Sequence, residues 1–407
     1  METSSTQQAF ILAHEHEDVR ELALRYSGED MPFLLAQIAG RQTAKQKIPS
    51  WYGIDEILYP VHLSLEQASS EMTARYKASL APEGKARLVD LTGGMGVDFS
   101  FLAPRFGRAV YLEQNEELCA LAAHNFGLLE LKNATVIQGK SEEYVSHMER
   151  ADLVYLDPAR REEGGRKVFR IGDCTPDLTR LKEGLLEKAD RIMIKYSPML
   201  DISLALKTLG DVREVHVVSV ENECKELLFV LSKEGGECIC QTVNLLRGGE
   251  RVAFGFTPAE EAQEAVLAPE PGRFLYEPNA SVLKAGAFNA VANRYGVKKL
   301  HRHSHLYTSD SRVADFPGRT FEVDSCFVPN KKNLRAFLSE TKKANIAVRN
   351  FPMSVAEIRK RSGLKEGGDC YLFATTLTDG RKVWIICAYP LTPLQYPEAS
   401  SPSSSVK

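Results

Sequence analysis

The stretch that most constrains this chain is Val89-Asp90-Leu91-Thr92-Gly93-Gly94-Met95-Gly96-Val97-Asp98. Arg87–Leu91 reads as the end of a buried strand and Val97–Pro104 as the start of a helix, with the glycines forming the turn between them. Glycine takes positive φ at no steric cost and lets a ligand come close to main-chain N–H groups. The helix N-terminus behind the turn adds partial positive charge. Strand, glycine turn and helix in that order belong to an open α/β sheet, whose ligands lie at the carboxyl edge. Asp90, at the strand end, suits a ligand that carries a positive charge.

Strands and helices alternate from Arg87 onward, the signature of a doubly wound parallel sheet. The expected strands are Arg87–Leu91, Ala109–Glu113, Ala134–Gln138, Leu153–Leu156 and Arg191–Lys195, then Val212–Val220 and Glu226–Ser232. The last two are joined by Glu221-Asn222-Glu223, too short for a crossover helix, so they should run antiparallel. Ahead of the sheet, Glu17–Arg25, Pro32–Ala39 and Ser64–Leu80 carry apolar residues at helical spacing, while residues 48–53 read as a loop. Ser64 would cap the third helix. That helix has a polar side with Ser69, Ser70, Thr73, Arg75, Tyr76 and Lys77, either a solvated face or a lid over a ligand.

Each strand end offers chemistry. After the second strand, Glu113-Gln114-Asn115 places an acid where a sugar's two hydroxyls can donate to it. After the third, Gln138-Gly139-Lys140-Ser141 is where a base edge would be met, with Ser141 either a hydrogen-bonding group or a helix cap. The fourth ends in Leu156-Asp157-Pro158-Ala159-Arg160-Arg161, and the fifth in Lys195-Tyr196-Ser197-Pro198. A dinucleotide site would want G-x-G-x-x-G. Here Phe99 stands where the third glycine belongs. Glu162 to Lys167 reads as a charged loop, a candidate substrate gate.

Gly235-Gly236 marks a boundary. Beyond it come a hairpin over 237–257 and a linker over 264–272, then strand Phe274–Tyr276, helix Ala280–Tyr295 and strand Thr320–Val328. Helix Asn330–Lys343, strand Ile346–Arg349, helix Ser354–Gly363 and a hairpin turning at Asp379-Gly380 follow. The Ser/Pro-rich tail reads as disordered. His301-x-His303-x-His305 reads as a surface strand rather than a metal site, because no further ligand at a clear spacing completes it. No metal is expected.

Composition narrows the partners. A net charge of −3 over 407 residues gives no global attraction to nucleic acid, so such binding needs a local patch. Between Lys331 and Lys365 stand ten basic residues, among them Lys331, Lys332, Lys342 and Lys343, against only Glu340 and Glu357. That is the contrast expected of a phosphate-binding face. The eight cysteines are scattered, the N-terminus carries no secretory pattern, and no apolar run approaches the roughly 18–20 residues of a membrane span. A reduced, cytoplasmic protein is expected.

Asp90 followed by Gly93, Gly94 and Gly96, with Asp98, Glu113 and the Asp157-Pro158-Ala159-Arg160-Arg161 run, resembles a bacterial family of class I S-adenosylmethionine (SAM) methyltransferases with a C-terminal THUMP-like domain. Leu65–Lys77, Glu277-Pro278-Asn279-Ala280 and Tyr307-Thr308-Ser309-Asp310 match that family's pattern as well. The resemblance implies a Rossmann-like seven-stranded sheet, an N-terminal helical region and C-terminal ferredoxin-like and THUMP-like α+β modules. It divides the chain into a helical region (1–80), a methyltransferase domain (81–235) and a connecting hairpin and linker (236–272). A ferredoxin-like module (273–328), a THUMP-like domain (329–392) and the tail (393–407) complete it. It implies SAM held by Asp90, Thr92, Gly93, Gly94, Gly96, Asp98, Glu113, Gln114, Asn115, Gly139, Ser141 and Asp157. Asp157, Pro158 and Arg160 would receive the methyl acceptor.

Arg160, Arg161 and Lys195, with Lys331, Lys332, Lys342 and Lys343, would bind substrate, expected to be RNA accepting methyl on nitrogen or oxygen. Amino-methylating nucleic-acid enzymes carry Asp/Asn-Pro-Pro-aromatic at 157–160; here Ala159 and Arg160 replace the last two. RNA 5-methyluridine enzymes carry Asp-Pro-Pro-Arg but need a cysteine after the fifth strand, which 195–198 lacks. Two other readings stay open: methylation of a small molecule or protein, and a non-catalytic RNA-binding protein that keeps SAM as a structural ligand.

Overall fold

The computed structural model describes residues 3–61, 65–82, 85–160, 171–388 and 391. Ser64, Arg161, the 162–167 loop and the 393–407 tail therefore lie outside the described residues. The chain forms two compact units, one of residues 1–220 with 225–238, the other of residues 221–224 with 239–407.

The first unit opens with helices α1 (Ser5–His14), α2 (Val19–Arg25), α3 (Met31–Lys47), α4 (Pro49–Tyr52) and α5 (Glu71–Ser79). α3 runs eight residues past the expected end and passes through Gly40, where a Cβ would lie 2.3 Å from the Tyr59 ring. The loop expected over 48–53 holds the turn α4, with Pro49 at its first position. The single helix expected over 64–80 is corrected: Leu65–Gln67 is a 3-10 turn, and α5 starts only after Ser70. Ser70 is extended and accepts from the Thr73 N–H at 3.2 Å, a strong N-cap that stops one element and starts the next.

The strands of this unit are β1 (Lys85–Asp90), β2 (Phe106–Glu113), β3 (Ala134–Gln138), β4 (Ala151–Leu156), β5 (Ala159–Arg160), β6 (Cys174–Thr175), β7 (Ala189–Tyr196), β8 (Val212–Val220) and β9 (Glu223–Leu231). Helices α6 (Val97–Leu102), α7 (Glu116–Leu128), α8 (Ser141–His147), α9 (Leu178–Lys188) and α10 (Ile202–Leu209) connect them. Seven strands lie side by side in the order β8-β9-β7-β4-β1-β2-β3. β3, β2, β1, β4 and β7 are parallel neighbours, and β9 enters antiparallel beside β7, pairing Ile192 with Leu231. This is the expected Rossmann-like sheet. Leu88, Phe99, Tyr111, Phe126, Leu153, Tyr155 and Met193 form its core. Asp90 is in register with both Tyr111 and Tyr155, and Glu113 with Gln138, so the strand ends share one edge. β5 and β6 pair with each other; strands of two residues carry no periodicity for a sequence to display.

The second unit contains the hairpin β10 (Ile239–Leu245) and β11 (Arg251–Phe256), then α11 (Pro258–Glu261), β12 (Phe274–Pro278), α12 (Ala280–Ala285), α13 (Phe288–Tyr295), β13 (Lys298–Lys299), β14 (Tyr307–Ser309), β15 (Gly318–Phe327), α14 (Lys331–Glu340), β16 (Asn345–Arg349), α15 (Val355–Ser362), β17 (Tyr371–Thr376) and β18 (Lys382–Cys387). Its sheet runs β13-β14-β12-β15-β18-β17-β16. The helix expected over 280–295 breaks at Gly286, whose φ of 74° belongs to a C-cap; its N–H donates to the Leu283 carbonyl. The three histidines lie in a turn, not on a strand. His303 donates its main-chain N–H to His301 Nδ1, and His305, at φ 52°, stacks on Phe288.

Candidate functional site

A cleft of about 570 Å³ opens at the carboxyl edge of the first unit's sheet. It is walled by the Asp90–Asp98 loop, Glu113 and Gln114 after β2, Gly139–Glu142 after β3, Asp157 and Ala159 after β4, and Lys195 on β7. Gln67, Ala68 and Ser69 close it from the helical region, and Thr175 and Pro176 line it at the end of β6.

The glycine loop is fixed by what surrounds it. Gly93 donates its N–H to the Leu112 carbonyl, and a Cβ there would lie 2.2 Å from the Tyr111 ring. Gly94 has φ 57° and gives its N–H to Glu113 Oε2 at 2.9 Å. Gly96 has φ 77° and caps α6. The second oxygen of Glu113 accepts from the Asn115 N–H at 2.9 Å, so two main-chain donors hold this carboxylate in one orientation. Asp90 is buried, and its Oδ1 accepts from the Thr92 N–H. Burial pushes the Asp90 carboxyl well above the usual range; the Thr92 N–H opposes this, while Asp98, Asp157 and Glu113 add to it. The Thr92 hydroxyl accepts from the Asp157 N–H at 2.6 Å, tying the loop to the end of β4.

The far wall is a network of charges. Lys77 is fully buried and donates to both oxygens of Glu226, at 2.6 and 2.7 Å, with Asp98 Oδ1 at 3.2 Å. Asp98 Oδ2 accepts from the Ser69 hydroxyl at 2.8 Å and the Tyr155 hydroxyl at 2.7 Å. Lys195 Nζ bonds Asp157 Oδ2 and lies 3.8 Å from Asp98 Oδ2. Burial works to raise the Asp98 carboxyl, but Lys77 and Lys195 outweigh it and hold it below the usual range. Burial likewise opposes the charged form of Lys195, yet Asp157, Asp98 and Glu226 keep its pKa above that of an ordinary lysine. Burial raises Glu226, against the pull of Lys77.

The cleft therefore brings together Asp90, Thr92, Gly93, Gly94, Gly96, Asp98, Glu113, Gln114, Gly139, Ser141, Asp157 and Lys195. Asn115 is not on its wall: its side chain caps α7, accepting from the Glu117 and Leu118 N–H groups. Ser141 lines the cleft, but its hydroxyl donates to the Leu91 carbonyl. Pro158 is buried off the wall, and Arg160 is described through its main chain only. Sequence reasoning missed Ser69, Lys77, Tyr155 and Glu226 as a set. Glu226 did leave a trace: an acid at the head of the apolar run Leu227–Leu231.

Lys331, Lys332, Lys342 and Lys343 belong to the second unit and are exposed on α14 and the segment after it. Leu334, Phe337 and Leu338 turn the other side of α14 toward Ile358, Leu372 and Trp384. Four of the ten basic residues bond within the unit: Lys342 donates to the Leu338 carbonyl, Arg361 to Met353 Sδ, and two more reach carboxylate or main-chain acceptors. Arg349 bonds buried Glu277 at 2.8 Å together with Arg319, and Arg359 donates to the Ala344 and Leu364 carbonyls.

A family model described as a ferredoxin-like domain matches residues 274–317, and one described as THUMP domain-like matches residues 318–389. A crystal structure from Porphyromonas gingivalis W83, provisionally named a methyltransferase, shares 34% identity with this chain; the match covers 96% of this chain and 100% of that one, at a TM-score of 0.86. This chain belongs to the same family. Members of this THUMP-like methyltransferase family thus join a Rossmann-like sheet to ferredoxin-like and THUMP-like modules. A precorrin-6y C5,15-methyltransferase from Geobacter metallireducens GS-15 matches at 13% identity over 42% of this chain and 93% of its own, with a TM-score of 0.33. An rRNA methylase from Streptococcus thermophilus matches at 15% over 40% and 96%, with a TM-score of 0.31. At those scores neither bears on the chemistry. No curated protein matches the sequence significantly. Among the described residues, no helix is long and apolar enough to cross a membrane.

Proposed function

We propose that this protein is a SAM-dependent methyltransferase acting on RNA. The observation that carries the reading is the clamped Glu113 carboxylate, fixed by two main-chain N–H groups on the wall of an acid-lined cleft. Its remaining lone pairs suit the two vicinal hydroxyls of a ribose. Asp90 then meets the ammonium of the methionyl end, beside the loop of Thr92, Gly93, Gly94 and Gly96. Gln114, Gly139 and Ser141 border the base.

SAM supplies an electrophilic methyl group on a sulfonium. The chain supplies position: Asp157 and Lys195 stand where the acceptor must line up with that methyl, and fixed geometry removes much of the barrier. Arg160 and Arg161 are assigned to holding the substrate. The THUMP-like match and the exposed lysines 331, 332, 342 and 343 support RNA as the substrate that the second unit docks.

Calorimetry with purified protein tests the cofactor, and labelled-methyl transfer to total RNA tests the reaction. Binding of SAM that is lost in Gly93→Ala, whose Cβ would strike the Tyr111 ring, is the expected result. No uptake of SAM or of its demethylated product would sink the proposal.

A further inference from the structure

Four charged side chains from four separate segments meet beside the carboxyl ends of β4 and β7: Lys77, Asp157, Lys195 and Glu226. They divide into two layers. Asp157 and Lys195 line the cleft, while Lys77 and Glu226 do not, and their side chains are 0% and 4% exposed. Asp98 bridges the layers, 3.2 Å from Lys77 Nζ and 3.8 Å from Lys195 Nζ. The inner pair and Asp98 therefore hold the Lys195 ammonium where it is. At the cleft an acceptor meets a carboxylate and an ammonium side by side.

That pairing discriminates between acceptors. An exocyclic amine on a base has two N–H donors and a lone pair delocalised into the ring, so it needs two hydrogen-bond acceptors around it. Lys195 has only donors to offer, which sets donor against donor. A hydroxyl fits. Its proton can go to the Asp157 carboxylate, one lone pair can accept from Lys195, and the other remains to attack. The aromatic ring that would stack a base in an amino-methylating site is replaced by Arg160.

Resting on the methyltransferase reading above, we infer that the methylated atom is a hydroxyl oxygen, and on RNA the ribose 2′-hydroxyl. The oxygen lone pair forms the new C–O bond to the methyl carbon, and the C–S bonding pair stays on sulfur, which becomes a neutral thioether. The hydroxyl proton, made acidic as positive charge grows on oxygen, passes to Asp157. At 40% side-chain exposure, Asp157 can return it to water. Asp157 and Lys195 are the catalytic residues; Lys77 and Glu226 are positioning residues.

The test is transfer of labelled methyl from SAM to total RNA of a strain lacking this protein, followed by nucleoside mass spectrometry and alkaline hydrolysis. The expected product is a 2′-O-methylnucleoside whose 3′ phosphodiester resists alkali. Label on a base overturns the hydroxyl inference and leaves RNA methylation standing. Absence of label from RNA, with SAM binding intact, overturns both. Asp157→Asn keeps the size of the side chain and its ability to receive an amine, but cannot take a proton. We expect its kcat to fall about 10²–10⁴-fold while the variant still binds SAM. A kcat within about threefold of the parent would overturn the assignment. Lys195→Met should lower kcat likewise, and Asp157→Asn carries the test should Lys195→Met fail to fold.

Discussion

In the first unit Lys77 lies fully buried between Glu226 and Asp98, whereas in the second Lys331, Lys332 and Lys343 stand in solvent along α14 and the segment after it. Both regions are rich in charge, and the same residue type does opposite things in them. A buried ammonium has lost its hydration and depends on its carboxylates; removing one partner strands the others. An exposed lysine keeps its water, interacts weakly with its neighbours, and can be spared for a ligand. Charge density alone therefore does not mark a binding face. The environment of each charge decides whether it serves the fold or a partner.

The largest effect should follow Lys77→Met. It leaves Glu226 and Asp98 buried with less compensation, at a cost of about 3–5 kcal/mol of stability measured by urea unfolding. A loss below about 1 kcal/mol would mean the buried cluster is wetter than its geometry indicates.

Asp90→Asn sharpens the contrast within the cleft. Folding raises the Asp90 pKa above its value of about 3.9 in the unfolded chain, so the native state binds the proton more tightly. Its contribution to stability is complete below about pH 4 and is lost as pH rises through the native pKa. The asparagine variant should match the parent near pH 4 and exceed its melting temperature at neutral pH. If the SAM ammonium meets Asp90, binding expels the proton, and affinity in the parent rises with pH until Asp90 is ionised. Calorimetry should find that rise flattened and the affinity lower in the variant. A variant that binds SAM as tightly as the parent at every pH would remove Asp90 from the cofactor site.

The smallest effect on the fold belongs to the exposed lysines. Replacing Lys331, Lys332 and Lys343 with alanine should change stability by no more than about 0.5 kcal/mol at each position. RNA affinity should nevertheless fall, and its dependence on salt concentration should flatten, as phosphate contacts and their released counterions are lost. An unchanged salt slope would class these lysines as solvated surface.

Much of the first unit was legible because its signals are local. The glycine turn, the acids at or just after the ends of β1, β2 and β4 and the alternation of strand with helix occupy short stretches. In these, the side-chain period and the demand for positive φ leave few alternatives. The strand Ala134–Gln138 has the expected limits, and Glu113 and Asp157 line the cleft. Helix breaks were harder. Ser70 and Gly286 are ordinary residues in an apolar pattern until their conformations reveal them as a cap and a terminator. The paired strands β5 and β6 were too short to register. Asn115, in a run with Glu113, gives its side chain to the end of α7 instead of the cleft.

By itself the sequence determined which edge of the sheet carries chemistry and what kind of ligand the glycine loop can approach, because those properties depend on neighbours a few residues apart. Only the tertiary structure decided that Lys77 and Glu226, 149 residues apart, share one buried bond, and that Lys195 is held against Asp157. No local rule couples such distant side chains. Burial does, because in a low-dielectric interior each charge must find its partner wherever the fold has brought it.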